Sequence, residues 1–123
     1  MKKVTIESIL KKKSILKEIK TEPFYSKFFD GEIEIENISP SKILEIVQNA
    51  NPDEPLRADH ELIYACCPVF RSKELLEEYE VQDPIDIISK IYGNNIIEPS
   101  ELAKHILKRY GFYLGEGVET IKK

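Results

Sequence analysis

Apolar and polar positions follow two periods along this chain. One short stretch alternates strictly: Glu32-Ile33-Glu34-Ile35-Glu36 places Ile33 and Ile35 on a face opposite three glutamates. Before it lies the aromatic-rich run Phe24-Tyr25-Ser26-Lys27-Phe28-Phe29, and Asp30-Gly31 stands between the two. Asp-Gly between strand-like runs is a strong hairpin signal, so a β-hairpin is predicted over about residues 22–37. A lone two-stranded hairpin is marginal in water, so it is expected to pack on helices.

Everywhere else the period is helical. Thr5 caps a first helix to Lys13, with Ile6, Ile9 and Leu10 as its buried side; by Lys20 the chain is expected to be extended. Ser39-Pro40 starts the next, with Ile43, Leu44, Ile46 and Val47 on its apolar side and Asn51-Pro52 as its stop. Residues 51–56 (NPDEPL) read as an exposed loop. A helix restarts near Asp59, carries Leu62, Ile63, Ala65 and Cys66, and stops at Pro68. Ser72 caps a short acidic helix with Leu75, Leu76 and Tyr79.

The stretch from Asp83 to Phe112 is the best punctuated, and the rest of the chain is expected to lean on it. Asp83-Pro84 starts a helix bearing Ile85, Ile87, Ile88, Ile91 and Tyr92, and Gly93-Asn94-Asn95 breaks it. Glu98-Pro99-Ser100-Glu101 starts the next, with Leu102, Ala103, Ile106, Leu107 and Tyr110 in one stripe. Gly111 suits the left-handed residue after a helix, and Phe112 is expected to fold back on Leu107 in a Schellman-type stop. The fold class is therefore mainly α: one small domain over residues 1–112, with five or six helices and one short hairpin, and a flexible tail over 113–123.

Charge and cysteine usage narrow the function classes. The net charge of −4 over 123 residues disfavours nucleic acid as a partner. No run approaches the roughly 20 apolar residues of a membrane span. No apolar signal region follows Met1-Lys2-Lys3, which points to the cytoplasm. The adjacent Cys66 and Cys67 cannot staple distant segments; they read as one buried residue and one partly exposed neighbour. His60 and His105 fall on different helices with no ligand spacing around them. The acids Glu74, Glu77, Glu78, Glu80, Asp83 and Asp86 lack the alternation of a calcium loop and read as a solvated face able to steer a basic partner. Lysines at 2, 3, 11, 12, 13, 17 and 20 make the N-terminus basic, and a basic arm on an acidic body points to weak head-to-tail self-association. No catalytic, cofactor-binding or metal site is expected.

Several segments, taken in order, carry a resemblance. They are Thr5-Ile6-Glu7-Ser8-Ile9-Leu10 with its lysines, Gly31-Glu32-Ile33-Glu34-Ile35, Asp59-His60-Glu61-Leu62-Ile63-Tyr64, Glu74-Leu75-Leu76, Asp83-Pro84-Ile85-Asp86-Ile87-Ile88, and Glu101-Leu102-Ala103 with Gly111-Phe112. This order resembles the XkdN-like tail assembly chaperones of phages and phage-derived contractile tail particles, over roughly Thr5 to Phe112. The resemblance implies a non-enzymatic role in the bacterial cytoplasm: binding the long helical tape measure protein, keeping it soluble, and helping tail tube protein assemble around it. No motif fixes client-contacting residues in that family. Tyr92, Phe112 and Tyr113 are expected as exposed anchors.

Two other readings stand beside it. One is a helix-turn-helix-like DNA-binding regulator in which Lys104, Lys108 and Arg109 contact phosphates, against which stand the net charge and a turn of about six residues where three or four are usual. The other is a structural tail or connector component kept in the mature particle.

Overall fold

The computed structural model describes residues 3–18 and 21–112, the side chains of 14–18 excepted. Its elements run α1 (Ile6–Glu18), β1 (Thr21–Ser26), β2 (Gly31–Glu36), α2 (Pro40–Gln48), α3 (Arg57–Cys66), a 3-10 turn (Pro68–Arg71), α4 (Lys73–Glu78), α5 (Asp86–Tyr92) and α6 (Ile97–Arg109). The fold is mainly helical with one antiparallel hairpin, as the two periods predict.

The hairpin pairs Thr21 with Glu36 at its open end and Ser26 with Gly31 at its closed end. Its connection is the four residues Lys27–Asp30, not a two-residue Asp-Gly turn: Asp30 takes the left-handed conformation (φ 54°), while Gly31 already belongs to β2. Phe28 and Phe29 therefore sit in the loop instead of a strand. Cross-strand pairing puts Phe24 beside Ile33 and Glu22 beside Ile35 on the inward face. Tyr25 faces out beside Glu32, its hydroxyl donating to Asp30 Oδ1 at 2.6 Å.

The hub is α3. It packs on α2, α5, α6 and the 3-10 turn, and the turn packs in turn on β2. Leu62, Ile63 and Cys66 from α3 meet Ile43 and Ile46 of α2, Ile87 and Ile88 of α5, Leu102, Ala103 and Ile106 of α6, and Ile33 and Ile35 of β2 in one core. From the stretch 83–112, α5 and α6 both pack on that hub. Leu44, expected inside, is exposed, so α2 buries a narrower stripe.

Local punctuation explains most boundaries. Ser39 Oγ accepts from Ser41 N at 3.2 Å with Pro40 in the first turn. Asp83 Oδ1 accepts from Ile85 N at 3.2 Å, and a turn of i to i+3 bonds leads into α5. The α6 start lies one residue before Glu98, and Asn95 Oδ1 accepts the Glu98 amide at 3.1 Å, so the α5–α6 connection is four residues and not six. At its other end Gly111 is left-handed (φ 86°), Phe112 N donates to Leu107 O and Gly111 N to Lys108 O, both at 3.1 Å. That is the Schellman stop expected from Gly111-Phe112.

One helix departs from expectation. Thr5 caps α1, Ser8 N donating to Thr5 Oγ1 and Thr5 N to Ser8 Oγ, but the helix runs on to Glu18. Its supposed buried side faces solvent: Ile6, Ile9 and Leu10 are 77, 57 and 56% exposed. Apolar spacing gave the start of the helix and its apolar positions, and no described element covers them.

Candidate functional site

The hairpin loop is held against α6 by a buried carboxylate. Glu98, in the first turn of α6, is only 7% exposed. Its Oε2 accepts from Ser26 Oγ and from the Tyr92 hydroxyl, each at 2.6 Å, and its Oε1 accepts from Phe28 N at 3.1 Å. Burial drives its carboxyl pKa up, but the bonds from Ser26, Tyr92 and the loop amides outweigh this and leave it below the usual carboxylate value. The helix N-terminus adds to the preference for charge. The Tyr92 phenol is pushed up by burial and by Glu98. Sequence reading placed Glu98 only at a helix start and gave it no buried partner. The signal it missed is the inward parity of Glu22, Phe24 and Ser26 on β1: a hydroxyl pointing inward needs a buried partner.

This anchor fixes the loop aromatics. Phe28 and Phe29 meet edge to face with centroids 4.9 Å apart, and both lie against Tyr92, at 5.2 and 5.3 Å. Phe29 also faces Phe70 at 6.5 Å. Beside them an apolar groove of about 440 Å³ runs along β2, lined among others by Phe29, Ile33, Val69, Phe70, Leu75 and Tyr79. Ile33 and Phe70 are buried, whereas Phe29, Val69 and Tyr79 stand exposed around them. Glu32 and Glu34 line the same groove, and α4, which contributes Leu75, exposes Glu74, Glu77 and Glu78 against Lys73. The site is thus an apolar trough with an acidic rim, suited to an apolar helix face with basic flanks.

The residues singled out in the sequence are dispersed. Tyr92, expected as an exposed anchor, is 2% exposed, because its ring closes the core under the loop and its hydroxyl is spent on Glu98. Phe112 is exposed, and Tyr113 lies outside the described residues, as does the tail expected over 113–123. Both cysteines are buried, not one; burial pushes their thiols up to about 11 for Cys66 and about 12 for Cys67, far from thiolate chemistry. His60 is half-buried, and burial together with Arg57 lowers its pKa. His105 packs edge-on to Phe24 and contacts Glu22 through Nε2 at 2.5 Å. Among the described residues no group of three His, Cys, Asp or Glu is placed to hold a metal. No described helix is long and apolar enough to cross a membrane.

The phosphate-contacting set assigned to α6 does not survive as a set. Lys104 and Lys108 are exposed, but Arg109 is turned inward, bonding Glu22 and Asn37 across to the hairpin, so it is a structural tie and not a free cation. The four-residue connection before α6 does remove the turn-length objection to a helix-turn-helix order.

Comparison of the chain with family models, with curated proteins and with solved structures finds no match.

Proposed function

We propose that this protein is a non-enzymatic binding module for an apolar helical segment of a partner protein, acting as a tail assembly chaperone of a phage, prophage or phage-tail-like particle. In this role its client is the tape measure protein, held soluble in the bacterial cytoplasm until tail tube subunits assemble around it. The observation that supports this reading is the groove between β2, the 3-10 turn and α4: an exposed apolar trough, walled by Phe29, Val69 and Tyr79. A helix loses its exposed apolar face by docking there, and a shallow trough gives the modest affinity that a chaperone needs in order to leave.

The test is co-expression with the large protein encoded next downstream, followed by affinity capture and a solubility assay. The client should stay soluble and co-purify with the wild type. Val69→Asp and Tyr79→Asp, at exposed positions, should lower capture at least tenfold while leaving the circular dichroism spectrum unchanged. A client soluble alone that does not associate would sink the proposal. Salt-sensitive binding to duplex DNA would then favour the regulator reading, and presence of the chain in purified tails would favour the connector.

A further inference from the structure

Among the described residues nothing covers the exposed face of α1, and none fills the acidic groove. We infer that α1 of one copy docks in the β2 groove of a second copy. The inference stands on these two surfaces and not on the identity of any client.

Charge selects this occupant. Residues 1–20 hold seven lysines against Glu7 and Glu18, a net +5, so with −4 overall the remainder of the chain carries −9. On α1 the exposed Ile6, Ile9 and Leu10 are followed by the exposed Lys11, Lys12 and Lys13. In the groove the exposed Val69, Phe29 and Tyr79 are rimmed by Glu32 and Glu34, with Glu74, Glu77 and Glu78 on the adjoining helix. Apolar face meets apolar trough, and lysines meet glutamates. The C-terminal residues 113–123 are a poorer match, since Glu116 and Glu119 balance Lys122 and Lys123. The arm leaves the body at Thr21, opposite Glu36, whereas the groove lies at the Gly31–Glu34 end of the hairpin. This geometry leaves the groove open to the arm of a neighbour. If the groove also serves a client, which rests on the chaperone reading, client and arm compete and self-association masks the groove until a client arrives.

Sedimentation of the purified full-length chain, with no client present, tests this directly. The wild type should self-associate with an affinity that weakens as salt rises. Leu10→Gln on the arm and Val69→Gln in the groove should each weaken it about tenfold or more, as expected for losing one buried aliphatic contact. Lys11→Glu with Lys12→Glu should weaken it, Glu32→Lys with Glu34→Lys should weaken it, and a mixture of these two charge-reversed chains should associate more tightly than either alone. Mixing Leu10→Cys with Val69→Cys chains under a mild thiol oxidant should give an intermolecular disulfide that neither forms alone; the buried Cys66 and Cys67 should stay out of that reaction. A monomer up to about 1 mM, association indifferent to Leu10 and Val69, or protection of α1 in a monomer would each overturn the inference. Because no client enters, this outcome is independent of the capture assay.

Discussion

Two helices of equal length meet opposite fates in this molecule. α1 and α6 are each 13 residues long, each has a polar side chain just before it accepting a first-turn amide, and each carries aliphatic residues at helical spacing among lysines. α6 buries Leu102, Ala103 and Ile106 completely, whereas α1 exposes Ile6, Ile9 and Leu10. The difference lies in the ties at their ends. α6 is fastened to the hairpin by Glu98 in its first turn, and by Arg109 and Tyr110 where it stops: Arg109 reaches Glu22 and Asn37, and the Tyr110 hydroxyl bridges the backbone of Ile38. The described side chains of α1 make no such tie to the body. An apolar stripe therefore specifies a helix and a face, while a few isolated polar residues decide what covers that face.

The sharpest way to break this comparison is to cut into the α6 stripe. Ile106 is fully buried against α3. Ile106→Ala should cost about 2–5 kcal/mol, the transfer term plus the cavity it leaves. Chemical denaturation at neutral pH measures it. A loss below about 0.5 kcal/mol would mean that α6 is not a core helix.

Next comes the polar tie. Glu98→Gln keeps the shape but removes the charge that three donors face, and it should cost about 1–3 kcal/mol near pH 7. The pH dependence follows from the lowered folded-state pKa of Glu98. Its stabilisation is complete above the unfolded value, near 4.5, and is lost as pH falls through the lower folded value. The gap between wild type and Glu98→Gln should therefore narrow as the pH is taken below about 4.5. A gap constant down to pH 3 would show that the bonds, and not the charge, carry the effect. Glu22 follows the same sign: burial raises its pKa, but His105 and Arg109 bring it down overall.

What could be read in the sequence divides along the same line. The alternation of Ile33 and Ile35, the Ser39-Pro40 start and the Gly111 stop are local physics and are found where the residues place them, and the helices are found with shifted ends, α1 running on to Glu18 and α5 starting at Asp86. The core membership of α1 was not legible, because periodicity cannot report whether a partner surface exists. The groove was not legible either. It assembles Phe29 from the loop, Ile33 from β2, Val69 and Phe70 from the 3-10 turn and Leu75 from α4, segments up to 46 residues apart. Tyr92 was misread because its helix spacing fits either a rim or a core position, and only the loop lying over it decides between them.

A smaller effect tests the C-terminal tie. Gly111 adopts φ 86° with open space where a Cβ would stand, so the conformation alone opposes a side chain there. Gly111→Ala should cost about 1 kcal/mol and fray the last turn of α6, seen as faster hydrogen exchange at Phe112 N. Unchanged exchange would mean that the Schellman stop does not hold that turn.

The smallest expected effect is the most informative about α1. Leu10→Gln preserves helix propensity and removes only an exposed apolar side chain. Measured at low protein concentration, it should change unfolding stability by less than about 0.5 kcal/mol, in contrast to Ile106→Ala. At high concentration the wild type gains stability by mass action if its arm occupies a neighbour's groove, and the variant does not. The gap between them should therefore open as concentration rises. A gap already large at low concentration would place α1 on its own body and erase the contrast with α6, and a gap absent at every concentration would leave the arm without a partner copy.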